Sequence, residues 1–167
     1  MNSENSIPII LDVEASGFGV GSYPIEVGVA LLGGQSFCTL IRPEKEWSHW
    51  DEKAERLHHL KRELLQQYGK SVREVAEQLN ELLDGQTVYS DAWGNDMSWL
   101  SLLFHHAEVT QRFTIDSLYS LLSIEQQEIW DRTKQQITDE SALTRHRASA
   151  DAKILQLTYI QTLQAKD

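Results

Sequence analysis

The stretch IILDVEASGFG, residues 9–19, decides how the rest of the chain is read. Its apolar start reads as a buried strand, and the strand ends by setting Asp12 and Glu14 two residues apart. Side chains two apart on a strand project from the same face, so these carboxylates lie side by side. Like charges placed together are unfavourable unless something neutralises them. Alone, the stretch describes a solvated strand end with Glu14 already in the loop. Partner acids elsewhere in the chain turn it into half of a cation site.

Working outward, residues 7–13, 25–32 and 36–42 read as three strands, the last two joined at Gly33-Gly34, a two-residue hairpin signal. The pattern then turns helical over 51–83. Leu57, Leu60, Leu64 and Leu65 form one stripe, Gly69 a stop, Ser71 a cap, and Val72, Val75, Ala76, Leu79, Leu82 and Leu83 a second stripe. Residues 87–90 (TVYS) read as a strand, followed by a helix through Trp99, Leu102, Leu103 and Phe104. A weaker strand over 112–116, a polar helical region over 117–138 and a last helix over 149–164 complete the chain. Antiparallel strands followed by strand–helix–strand units predict an α/β fold with helices on both faces of the sheet. No linker or repeat interrupts it, so residues 1–167 are expected to form a single domain.

Composition narrows the function. With 15 Lys+Arg against 25 Asp+Glu, the formal net charge of −10 argues against broad adhesion to nucleic acid or to an anionic membrane. Cys38 is the only cysteine, which excludes an intrachain disulfide and a cysteine-rich zinc site and suggests a cytoplasmic protein. The N-terminal segment MNSENSIPII lacks the features of an export signal, and no apolar run approaches the roughly 20 residues that span a bilayer. The doublets His58-His59 and His105-His106 are poor zinc ligands, because adjacent residues on a helix diverge by about 100°. The five tryptophans read as core or edge packing.

Two further segments carry acids. In YSDAWGNDMSWL, residues 89–100, Asp96 begins a helix and Asp91, at the end of the preceding strand, competes with it. In RHRASADA, residues 145–152, His146 precedes Asp151 by five positions. On a continuous helix that offset is about 140° of rotation, which separates the two side chains. If Ser149 caps the helix, His146 lies in the loop before it and Asp151 in its first turn.

Taken together these segments resemble the DEDDh 3′-5′ exonucleases, the DnaQ-like and ribonuclease T-like group of the ribonuclease H-like superfamily. LDVEASGFG is similar to the first motif of that family, YPIEVGVALL to its second strand, NDMSWL to its second motif and HRASADA to its third. The resemblance covers nearly the whole chain. The second motif departs most: Asp91, Ala92, Trp93 and Asn95 stand where the family has His-Asn-Ala and an aromatic. Asp91 therefore stays beside Asp96 as a candidate.

The resemblance implies a three-layer α/β/α fold on a mixed five-stranded sheet. It also implies a 3′-to-5′ exonuclease that hydrolyses single-stranded or short DNA or RNA and releases nucleoside 5′-monophosphates. Asp12, Glu14, Asp96 and Asp151 would hold two Mg²⁺ or Mn²⁺ ions, a choice that suits an all-oxygen site. Two such ions about 4 Å apart stabilise the entering and leaving oxygens. His146 would take the proton of the attacking water. Ala15, Ser16 and Phe18 would form the lip for the terminal nucleotide, His58 and Leu60 would border the cleft, and Arg145 and Arg147, which flank His146, would meet phosphate. A homodimer is a prior from relatives. The rival readings are a catalytically silent binding module on this fold and a small-nucleotide phosphodiesterase.

Overall fold

The computed structural model describes residues 7–165. Residues 1–6 of the segment read above for an export signal therefore lie outside the described residues.

Five strands, β1 (Ile9–Ala15), β2 (Pro24–Ala30), β3 (Ser36–Leu40), β4 (Thr87–Ser90) and β5 (Thr114–Ser117), build one sheet in the order β3-β2-β1-β4-β5. β2 is antiparallel to β1 and β3, while β4 is parallel to β1 and β5. The helices are α1 (Glu52–His58), α2 (Arg62–Tyr68), α3 (Val72–Leu83), α4 (Trp93–Ala107), α5 (Ile124–Glu140) and α6 (Ala148–Gln164). This is the mixed sheet between two helical layers expected from the sequence.

Strand periodicity explains both layers. Leu11, Val13 and Ala15 of β1 and Ile25, Val27 and Val29 of β2 project from one face into a core shared with Val75, Leu79, Leu100 and Leu103 of α3 and α4. Each such fully buried Leu or Ile is worth roughly 1.5–3 kcal/mol. Ile10 and Ala30 project from the opposite face, against Ala152, Leu155 and Tyr159 of α6 and Trp130 of α5. By the same alternation, Asp12 and Glu14 follow Ile10 on the face covered by α6, and Glu26 and Gly28 precede Ala30 there. A Cβ at Gly28 would stand 2.1 Å from the Ser149 nitrogen, so only glycine lets the first turn of α6 rest on β2. That contact brings Asp151 to the acids of β1.

Local details differ from the sequence expectations. β1 extends to Ala15, so Glu14 belongs to the strand and sits opposite Glu26 of β2. The β2–β3 connection is not a two-residue turn. The strands part after the Ala30–Ser36 pair, and a short 3-10 turn at Leu32–Gly34 holds both glycines at positive φ. The leucine stripe over 57–65 does not hold either. His59 adopts a left-handed conformation that ends α1, the periodicity restarts in α2, and Leu57 and Leu64 are left exposed while Leu60 and Leu65 are buried. The polar region begins as a 3-10 turn, Leu118–Leu121, before α5, whose N-terminus is fixed by a Ser123–Gln126 capping box. No helix among the described residues is long and apolar enough to cross a membrane.

Candidate active site

The acids of β1 meet α6 at its N-terminus. Asp12, Glu14 and Asp151 each present a carboxylate oxygen, and these atoms lie within 4.8 Å of one another. One oxygen of Asp12 is buried and has no hydrogen-bond partner. Such a group is costly unless a cation or a proton satisfies it.

The electrostatics agree. Burial raises the Asp12 carboxyl well above the usual range, and the charges of Asp96, Glu14, Asp151 and Asp91 add to the effect. Glu14 is pushed up to about 7, first by burial and then by Asp151 and Glu26, against a lowering by Arg147. Asp151 is also raised by burial, opposed by Arg145 and by His146. A concentration of carboxylates that resist ionisation is a donor set suited to a hard cation. The donor set is oxygen only, and the unpartnered Asp12 oxygen gives a divalent ion a place to bind.

Asp96 enters from the other side. It lies in the first turn of α4 and is 1% exposed, so it is not the helix cap expected of an Asp near a helix start. The N-cap residue Ala92 supplies no side-chain cap; the Ser90 hydroxyl accepts the Ala92 N–H at 3.0 Å and donates to the Asp96 carboxylate, which holds Asp96 against the end of β4. Burial still raises Asp96 to about 7, with the Ser90 hydrogen bond opposing and Asp91 and Glu14 adding. Asp91 is bound instead by Lys134 at 3.0 Å.

α6 starts at Ala148 with Arg147 as its N-cap residue, so Ser149 falls inside the first turn and does not cap it. The cap comes from across the sheet, where the Glu26 carboxylate accepts the Ala148 N–H at 2.7 Å. The expected juxtaposition nevertheless occurs. His146 lies in the loop just before the helix at φ 59°, a left-handed conformation that costs a non-glycine residue free energy, and its backbone N–H donates to Asp151 at 3.1 Å.

A cleft of about 270 Å³ has Asp12, Glu14, Ala15, Phe18, His58, Asp96, Trp99 and His146 on its walls, and Asp151 lies on a neighbouring cavity that shares Asp12. Phe18 is 71% exposed, and its ring centroid is 6.0 Å from that of Trp99. Gly17 makes this lip possible: at φ 147°, a Cβ there would stand 2.7 Å from the Asp51 Cβ. His58 is buried at the C-terminus of α1, not at the start of the next helix. Its Nδ1 accepts the Leu60 N–H at 3.0 Å, so Nε2 carries the ring proton of the neutral form and stands buried without a partner.

Of the sequence candidates, Ser16, Leu60, Arg145 and Asp151 are not on the wall of this cleft. Ser16 is buried beneath the lip, where its hydroxyl accepts the Tyr23 N–H at 3.1 Å and pairs with His49 Nδ1 at 2.9 Å. Leu60 belongs to the hydrophobic core. Arg145 lies on a second, smaller cavity of about 120 Å³ shared with Asp12, Asp91, Lys134 and Asp151, and its Nε is 3.5 Å from Asp151. Trp99 and Glu26 were not read as site residues from the sequence. Trp99 stands three residues after Asp96, one helical turn on, and Glu26 is a charged residue inside the otherwise fully buried, apolar strand β2.

No family profile and no curated protein matches the sequence. The fold is similar to solved exonuclease I structures. Escherichia coli exonuclease I in complex with a dA16 oligonucleotide aligns with a TM-score of 0.70 at 10% identity, over 95% of this chain and 41% of that one. The zinc-bound form of the E. coli exonuclease I complex with single-stranded DNA gives 0.73 at 9%, over 95% and 40%. The moderately thermophilic exonuclease I of Methylocaldum szegediense gives 0.68 at 11%, again over 95% and 40%. The chain thus spans about two fifths of the length of these neighbours, and at such identities the likeness establishes the fold alone, the three-layer arrangement on a mixed five-stranded sheet.

Proposed function

We propose that this chain, acting as one domain over 1–167, is a divalent-metal-dependent 3′-to-5′ exonuclease that removes nucleoside 5′-monophosphates from single-stranded DNA or RNA. The observation that carries the reading is the convergence of Asp12, Glu14 and Asp151 within 4.8 Å around an unpartnered buried oxygen. It is supported by a fold shared with exonucleases, two of the structures above being complexes with single-stranded DNA.

In this reading Asp12, Glu14, Asp151 and Asp96 hold two Mg²⁺ or Mn²⁺ ions. Asp96 is assigned over Asp91 because it lies on the cleft wall, whereas Asp91 is engaged by Lys134. When bound, the ions supply positive charge that activates water and stabilises the entering and leaving oxygens. His146 accepts the proton of the attacking water, and the loop before α6 orients it over the cleft. Phe18 and Trp99 provide aromatic surface on which a terminal base of any identity stacks. His58 borders the cleft that receives the terminal nucleotide. The net charge of −10 leaves little basic surface to track a duplex and favours single strands.

The test is cleavage of end-labelled DNA and RNA oligomers with Mg²⁺ or Mn²⁺, with the 3′ or 5′ end blocked. Shortening that a 3′ block prevents is expected. Well-folded protein inactive on both polymers overturns the reading. Cleavage of dinucleotides alone points to a small-nucleotide phosphodiesterase.

A further inference from the structure

Arg147, which by resemblance would meet phosphate with Arg145, is held instead by Glu26, in a paired polar contact between β2 and the N-terminus of α6. Arg147 Nε lies 3.0 and 3.2 Å from the two Glu26 oxygens and Arg147 Nη2 lies 2.6 Å from one of them. The same carboxylate accepts the Ala148 N–H, and Glu26 is 0% exposed. Both Glu26 oxygens are thus used, and the positive end of α6 meets a buried negative charge.

The location gives the contact its meaning. Glu26 is directly opposite Glu14 across the β1–β2 pair, on the same face of the sheet. Arg147 directly follows His146 and lies four residues before Asp151, whose own N–H donates to the Arg147 carbonyl at 2.9 Å. Two residues along β2, Gly28 lets the backbone of α6 touch the strand. The carboxylates that converge come from two elements, Asp12 and Glu14 from β1 and Asp151 from α6. Without a fixed link between β1–β2 and the N-terminus of α6, their separation would vary with every shift of the helix.

We infer that Glu26 and Arg147 are positioning residues: their clamp sets the distance between the β1 carboxylates and the His146–Asp151 segment, and through it the metal affinity of the site. This rests on the exonuclease reading. A purely structural role predicts lost stability only, whereas a clamp that spaces ligands predicts lost metal affinity in protein that remains folded. Lysine keeps the charge of Arg147 but cannot make the paired contact.

The experiment measures Mn²⁺ binding by calorimetry and amide hydrogen exchange over 146–151 in the full chain for wild type, Arg147→Lys, Glu26→Gln and Tyr159→Leu. The last variant removes a ring buried in the distal half of α6 and serves as the stability control. Arg147→Lys and Glu26→Gln are expected to weaken Mn²⁺ binding roughly tenfold or more and to speed exchange over 146–151, while Tyr159→Leu leaves both unchanged. Wild-type protein that binds Mn²⁺ and cleaves oligomers, with clamp variants that bind Mn²⁺ equally well, overturns the clamp alone. Equal weakening by Tyr159→Leu at matched stability does the same. Wild-type protein that neither binds Mn²⁺ nor cleaves overturns the exonuclease reading and the clamp's role with it.

Discussion

Replacing Glu14 by glutamine should make the metal-free protein more stable at pH 8 and less responsive to Mn²⁺. Folding raises the Glu14 carboxyl from 4.5 to about 7 through burial and the charges of Asp151 and Glu26. The folded state therefore binds this proton more tightly than the unfolded chain, and stability falls as pH rises from about 4.5 to 7. Above pH 7 the loss is complete; below 4.5 it is absent. A shift of that size corresponds to at most about 3 kcal/mol, and solvent screening of a partly buried group reduces it to roughly 1–2 kcal/mol. Glutamine keeps the shape and removes the ionisation. Urea denaturation in chelator should show Glu14→Gln more stable than wild type by about that amount at pH 8 and nearly equal at pH 5. With Mn²⁺ the order should reverse, because a ligand at a hundred times its dissociation constant adds about 2.7 kcal/mol to a site that binds it, and the variant lacks one ligand. A variant no more stable than wild type at pH 8 in chelator, or stabilised equally by Mn²⁺, refutes the reasoning.

His146→Ala should leave Mn²⁺ binding near wild type in calorimetry while lowering turnover on oligomers about 10²–10⁴-fold; equal loss of both would remove the role given to His146. Asp96→Asn should abolish turnover, whereas Asp91→Asn should preserve most of it and cost about 1 kcal/mol or less in urea denaturation, through the partly exposed pair with Lys134. The opposite ranking would transfer the ligand role to Asp91. Gly28→Ala should destabilise the fold by about 3 kcal/mol or more in the same assay, since its Cβ meets the α6 backbone.

The sequence was most informative where local pattern and tertiary role coincide. Apolar runs and turn signals located all five strands, and the acids with His146 could be matched to the family's motifs because each motif lies within a few residues of an element boundary. Legibility failed where a distant residue replaced a local signal. Ser149 has the chemistry of a cap, but Glu26, far away in sequence, caps α6. The His59 break in α1–α2 gave no glycine or proline to announce it. Ser16 reads as a lip residue by proximity to Phe18, yet its hydroxyl is turned inward by Tyr23 and His49. Trp99 reads as core because it is apolar and in register with Leu103, and only the placement of the lip shows that its ring also lines the cleft.

The row formed by Ile10, Asp12 and Glu14 on one face of β1 has a consequence for how the chain finds its fold. A strand pairs with side-chain period two, so a slip of one residue exchanges its faces. Here such a slip would drive both carboxylates into the apolar layer packed under α3 and α4 and turn Leu11 and Val13 toward the acidic end of α6. The Asp12–Glu14 pair therefore doubles as a register mark, penalising misaligned pairing of the central strand.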